Sequence, residues 1–116
     1  MQEMSTRQLA DWLEDSDSPL REAVASRPKP LLLDVRETWE YELCHLAGSL
    51  SMPMGTVPAR LNELDVSAAV VVICHHGVRS MQVAMFLAQN GFSSLYNLAG
   101  GINAWAHDVD LAMCKY

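Results

Sequence analysis

Val70-Val71-Val72-Ile73 runs without interruption into Cys74-His75-His76-Gly77-Val78-Arg79-Ser80, and no other stretch constrains the fold as tightly. Four β-branched residues in a row favour an extended strand, and a strand that is apolar at every position has both faces covered. From Ser80 onwards, Val83, Phe86 and Leu87 recur at helical spacing as far as Asn90-Gly91, which predicts an amphipathic helix closed by a glycine. A buried strand, a short loop opening with cysteine and a helix make half of a βαβ unit. In that arrangement the loop amides and the positive end of the helix point towards the Cys74 sulfur.

At 116 residues the chain is sized for one domain with one core. Half of its residues are hydrophobic and 19% are charged, which excludes a disordered chain. The formal net charge of −6 disfavours nucleic acid and anionic membranes as partners. An anionic substrate then needs a local positive site, which Arg79 offers. There is no long apolar run, and Met1-Gln2-Glu3-Met4 begins no hydrophobic signal, so the expected location is the cytoplasm. Three cysteines without a secretory signal (Cys44, Cys74 and Cys114) argue against a disulfide framework and for reduced thiols, one of them reactive.

Ser5-Thr6 caps a predicted helix with Leu9, Trp12 and Leu13 on one face, ending near Glu14. Residues 20–26 suggest a second short helix, so the segment 5–26 is expected to be helical. Leu31-Leu32-Leu33, running into Asp34-Val35-Arg36, reads as another buried parallel strand. Residues 37–43 form a short predicted helix with Trp39 and Leu43 available for burial, and Glu37 and Glu40 suit its solvated first turn. Residues 48–51 are a short strand stopped by Pro53, and Val57, Leu61 and Leu64 lie at helical spacing. Residues 95–98 give the last core strand. Gly100-Gly101 opens a final helix carrying Ile102 and Trp105, and 111–116 is a short tail. Short strands alternating with helices imply an α/β fold, with a parallel sheet covered by helices on both faces. Ligands of such sheets bind beyond the carboxyl ends of the strands. That places Asp34-Val35-Arg36, Met52-Pro53-Met54, residues 74–79 and Leu98-Ala99-Gly100 at one rim, and sends Cys44-His45 to the opposite one.

A thiol attacks as its thiolate, and a helix N-terminus beside a cation favours that anion. Cys74 is therefore a candidate nucleophile in a cradle of loop amides and Arg79, with Gly77 permitting the tight turn. The alternative, a plain core cysteine at a strand end, does not account for so polar a loop. Cys74, His75, His76, Cys44 and His45 could suggest a soft metal site. Adjacent histidines do not readily both face inwards, however, and Cys44 is expected elsewhere, so neither metal nor cofactor is expected. His75 and His76 read as loop-surface residues that tune charge.

Three motifs resemble the signatures of rhodanese-like sulfurtransferase domains: Asp34-Val35-Arg36-Glu37 with Glu40 and His45-Leu46-Ala47-Gly48, then Cys74 to Ser80, then Gly100-Gly101-Ile102-Asn103-Ala104-Trp105. The resemblance spans residues 31–105 and implies an α/β fold with a parallel sheet of about five strands. It also implies a ping-pong reaction. Cys74 takes a sulfane sulfur from an anionic donor such as thiosulfate, holds it as a persulfide, and passes it to a thiophilic acceptor, cyanide in vitro and a small or protein thiol in the cell. Carried over residue by residue, His75, His76, Gly77, Val78, Arg79 and Ser80 form the pocket around catalytic Cys74. Asp34 and Arg36 lie at the same rim, either as a shaping ion pair or with Arg36 reaching the donor. Cys44 departs from the pattern, since many members have glycine before the histidine. Four residues, His75 to Val78, separate Cys74 from Arg79. Phosphatases of the same fold space the two one residue further apart, so this shorter ring favours a terminal sulfur over phosphate or arsenate. A non-catalytic binding module, or a persulfide carrier serving a protein partner, is the remaining alternative. Of the other residues, His45 is expected to make a hydrogen bond fixing the loop before Gly48, Trp39 and Trp105 to pack, and Met52 and Met54 to line an entrance or the core. Cys114 is expected to be an exposed thiol.

Overall fold

The computed structural model describes residues 1–17 and 28–116. The predicted helix over 20–26 lies outside the described residues. Five parallel strands form one sheet in the order β1-β5-β4-β2-β3, with β1 at Gln2–Met4, β2 at Leu31–Asp34, β3 at Leu50–Ser51, β4 at Val70–Ile73 and β5 at Leu95–Leu98. The valine-rich strand takes the centre. Val70 pairs with Leu31 on one side and Leu95 on the other, and this register continues to Ile73 opposite Asp34 and Val72 opposite Asn97.

Side chains alternate across a strand, so β4 supplies both cores. Val70, Val72 and Cys74 pack with Val83, Ala84 and Leu87 of α3 (Val78–Gln89), beside Leu33 and Met52. Val71 and Ile73 pack with Leu9 and Trp12 of α1 (Thr6–Asp17) and Ile102 and Trp105 of α4 (Gly101–Asp108). All four residues of β4 have no solvent exposure; each such side chain contributes ~1.5–3 kcal/mol.

Several elements differ from expectation. β1 carries no sequence signal because Gln2 and Glu3 are exposed and only Met4 is buried; it adds to the sheet through backbone, with the Ala99 N–H donating to the Met4 carbonyl at 2.8 Å. The Val57–Leu61–Leu64 segment is not an α-helix but two 3₁₀ turns, Met54–Thr56 and Pro58–Glu63. Pro58 lacks the N–H that an α-helix would direct at the Met54 carbonyl, and Val57 donates to it instead at 3.3 Å. Helix α1 runs to Asp17, beyond the expected stop at Glu14. Helix α2 (Thr38–Leu43) buries Glu40, while Trp39 and Leu43 are 60% and 53% exposed, the reverse of the amphipathic expectation. Helix α3 begins two residues before Ser80 because Gly77 adopts φ +103° and turns the chain immediately.

The four predicted rim segments do meet. Met52 N–H donates to the Asp34 carbonyl at 2.8 Å, Met54 N–H to Val35 at 3.0 Å, Ile102 N–H to Cys74 at 2.9 Å and Asn103 N–H to His75 at 3.0 Å. The last two bonds require residue 101 to pass against the active loop. A Cβ on Gly101 would collide with the Cys74 carbonyl oxygen and lie 2.6 Å from that of His75, at a φ of +58°. Gly101→Ala should therefore lower unfolding stability by roughly 2–4 kcal/mol, measured as a reduced urea midpoint; an unchanged midpoint would show that the clamp is not rigid.

Candidate active site

Cys74 sits at the end of β4, 1% exposed. The Gly77 N–H donates to its sulfur at 3.0 Å, and the Ser80 hydroxyl lies 3.2 Å away. Ser80 is fully buried in the first turn of α3, and its hydroxyl donates to Asn97 Oδ1 through a short hydrogen bond. Asn97 is oriented by its amide nitrogen, which donates to the Gly77 carbonyl at 3.1 Å and to both Glu3 carboxylate oxygens at 3.0 and 3.1 Å. Because Ser80 has one proton and Asn97 holds it, the hydroxyl faces Cys74 as an acceptor for S–H.

Arg79 does not point freely into the loop. Its two terminal nitrogens donate to the Glu40 carboxylate at 2.7 and 3.0 Å, a bidentate pair. Glu40, expected to be solvated, is buried, and it also accepts from the Glu37 N–H at 3.0 Å and the Tyr116 hydroxyl at 2.9 Å. The Arg79 hydrogen bonds hold its carboxyl down at about 2, against the burial that opposes its charge.

Arg36 is committed to the rim itself. It has no solvent exposure, and its guanidinium donates to Asp34 at 2.7–3.1 Å, to the Cys44 carbonyl at 2.6 Å and to the Tyr116 hydroxyl at 2.7 Å. Burial works against this charge, yet Asp34 and Tyr116 outweigh it and the guanidinium pKa is raised. His75 is half-buried between two rings, 4.1 Å from His76 and 4.0 Å from Tyr116 with planes only 8° apart. Burial, then the neighbouring His76, push its pKa below the usual imidazole value. His76 and Val78 are exposed.

Two expectations about cysteine fail. Cys44 lies at the same rim as Cys74, because its carbonyl binds Arg36, and it is paired with Cys114 in a disulfide that closes 70 residues of chain. Among the described cysteines only Cys74 is free. The far-rim placement assumed that α2 carries the chain away from the site. Six helical residues rise only about 9 Å, too short for that. The disulfide also removes Cys44 from any soft metal site. His45 does make its expected bond, to the Tyr41 carbonyl at 2.8 Å. Met52 is core, and Met54 packs at the core's edge.

The sequence and the fold both have counterparts among known proteins. The family model described as Rhodanese-like domain matches residues 9–108. The chain belongs to that family. Thiosulfate sulfurtransferase GlpE of Pseudomonas fluorescens is 33% identical over 88 residues, covering 75% of this chain and 81% of that protein. The Bacillus subtilis protein YrkF, named as a candidate sulfur carrier, is 39% identical over 74 residues; the match covers 64% of this chain but only 40% of YrkF. The crystal structure of a rhodanese-like domain protein from Staphylococcus aureus superposes with a TM-score of 0.75 at 28% identity, covering 90% of this chain and 91% of that one. Among the described residues no helix is long and apolar enough to cross a membrane.

Glu3, Asn97, Tyr116 and the Cys44–Cys114 pairing were missed, and Glu40 misassigned. Only Glu40 carried a signal, as part of the first motif. Its depressed carboxyl stabilises the fold above the unfolded value near 4.5, and that contribution is lost as pH falls towards 2. Glu40→Gln should thus cost on the order of 3 kcal/mol at pH 7 and progressively less below pH 4.5, read from urea unfolding of both proteins across that range; a difference independent of pH would refute the ionic role.

Proposed function

We propose that the protein is a sulfurtransferase working in the cytoplasm. It moves a sulfane sulfur from an anionic donor, thiosulfate in the assay, to cyanide in vitro and to a small or protein thiol in the cell, through a persulfide on Cys74. The observation that carries this reading is the single free cysteine at the carboxyl end of the central strand, its sulfur held by the Gly77 N–H at the start of α3. Membership of the family supports the chemistry, and the relative GlpE supports the donor.

After Cys74 gives its proton to solvent, the sulfur attacks the outer sulfur of thiosulfate. The donor's S–S bond breaks, its electron pair leaves with sulfite, and a Cys74 persulfide anion remains. The acceptor's nucleophile then attacks the terminal sulfur, and the thiolate returns. Each anionic stage is stabilised by the Gly77 N–H and the positive end of α3. Ser80 has only to turn its proton from Asn97 to the sulfur to add a second donor. Arg79 supplies the cation nearest the loop, shared between Glu40 and the incoming dianion.

Wild-type protein incubated with thiosulfate should gain the mass of one sulfur atom and form thiocyanate with cyanide, whereas Cys74→Ser should do neither. Hydrolysis of an aryl phosphate without thiocyanate would replace sulfur transfer by phosphatase chemistry, and a much larger kcat/KM with mercaptopyruvate would replace the donor. The name of YrkF favours one second reading, a persulfide carrier for a protein partner; a stable sulfur adduct with negligible cyanide turnover would select it. Loss of the Ser80 donor removes one hydrogen bond to an anion, so Ser80→Ala should lower kcat/KM about 10–100-fold. An unaffected rate would place the hydroxyl outside the reaction.

A further inference from the structure

The segment after α4 returns across the mouth of the Cys74 loop, and few interactions keep it there. Met113 packs against the edge of the second core, Lys115 bonds only to carbonyls of its own segment, and Leu111 is 72% exposed. Two features fix its path: the Cys44–Cys114 disulfide, and Tyr116 two residues later. The Tyr116 ring stacks on His75, next to the nucleophile, and meets the edge of Trp39 at 6.0 Å between centroids. Its hydroxyl accepts from Arg36 and donates to Glu40, the carboxylate that holds Arg79. The phenol, itself 36% exposed, thus spans His75, one residue from Cys74, and the Glu40–Arg79 pair.

We propose that Cys44 and Cys114 form a thiol–disulfide switch whose oxidised state holds Tyr116 over the Cys74 pocket, and whose reduction by a dithiol lifts it. This rests on Cys74 as the sulfur-accepting residue. The switch takes a dithiol reductant. One of its thiolates attacks a cystine sulfur and the Cys44–Cys114 bond breaks. Its second thiol then resolves the mixed disulfide. Two electrons pass to the cystine, two protons end on Cys44 and Cys114, and the reductant leaves as its own disulfide. Cys114 is exposed, so the bond is open to such attack. While it is intact, Tyr116 is tethered two residues from its anchor and recloses at high effective concentration. Once it is broken, the contacts of one side chain must offset the ordering of the whole segment.

The test follows alkylation of Cys74 by iodoacetamide, located by peptide mass mapping, in air-oxidised protein and in protein reduced with dithiothreitol and then desalted. Oxidised wild type should contain one free thiol, and its Cys74 should react about tenfold more slowly than in the reduced form. Cys114→Ser should match the reduced rate under both treatments. Tyr116→Ala should keep its disulfide yet react at the reduced rate when oxidised, which separates covering by the ring from general stiffening. Three free thiols in the oxidised protein, equal rates in both forms, or an oxidised Tyr116→Ala as slow as wild type would each overturn the proposal. Alkylation needs no sulfur transfer, so a chain that opens on reduction but makes no thiocyanate would sink the proposed function and leave the switch standing.

Discussion

The backbone of residues 74–77 is clamped from both sides, and every property of the site depends on that clamp. On one side the Cys74 and His75 carbonyls accept N–H groups from Ile102 and Asn103 at the start of α4. On the other, Gly77 turns at positive φ and opens α3, at a point where a Cβ would lie only 3.3–3.4 Å from the Gly100 and Leu98 backbone. With the Cys74 and His75 carbonyls committed to α4 and that of Gly77 to Asn97, the loop presents its Gly77 N–H to the Cys74 sulfur. Two helix starts are thus used differently: α4 binds the protein's own carbonyls, and α3 is left for a charge on sulfur. The doublet Gly100-Gly101 is what lets the two come so close.

Charge at the rim is arranged with the same economy. The chain carries a net charge of −6, and the two arginines closest to the site are each tied to a carboxylate: Arg36 to Asp34 without solvent exposure, Arg79 to Glu40 with a third of its side chain exposed. These pairs differ in what they can do. A fully buried pair that also binds a backbone carbonyl is fixed, because moving either partner strands a charge away from water. A partly exposed pair can exchange one carboxylate for another anion at little desolvation penalty. Arg79 is therefore the cation of the two that is open to solvent, and Arg36 the post on which the rim, the Cys44 carbonyl and Tyr116 are hung.

How much of this the sequence discloses depends on range. The run 70–73, the loop after it and the periodic helix after that are local patterns, and they place Cys74 correctly at the end of a central buried strand. Rim membership follows from strand direction, and the close approach behind the Gly-Gly doublet is a local signal as well. Interactions between segments leave no such trace. Arg79 meets Glu40 across 39 residues and Asn97 meets Glu3 across 94. Cys44 lies at the rim of Arg36 instead of the opposite one because α2 is only six residues long and its end stays near the site, which the order of elements alone does not show. Trp39 does pack, but against the edge of the Tyr116 ring across 77 residues of chain and 60% exposed, which no local pattern discloses. Nothing local marks Gln2–Met4 as a strand, since its contribution is backbone alone.

That edge strand nevertheless reaches the sulfur. Glu3 and the Gly77 carbonyl both take the Asn97 amide nitrogen, so the amide oxygen must face Ser80, and the Ser80 proton goes to it. One proton cannot serve Asn97 and a sulfur anion together. Forming the anion therefore means turning Ser80, which leaves a buried amide oxygen without its donor. Such a group is costly away from water, so the Ser80 proton rests on Asn97 and turns to the sulfur only where the bond gained there offsets the loss. Tyr116 stacks on the neighbouring His75 on one side of the loop, and Asn97 directs the Ser80 hydroxyl on the other.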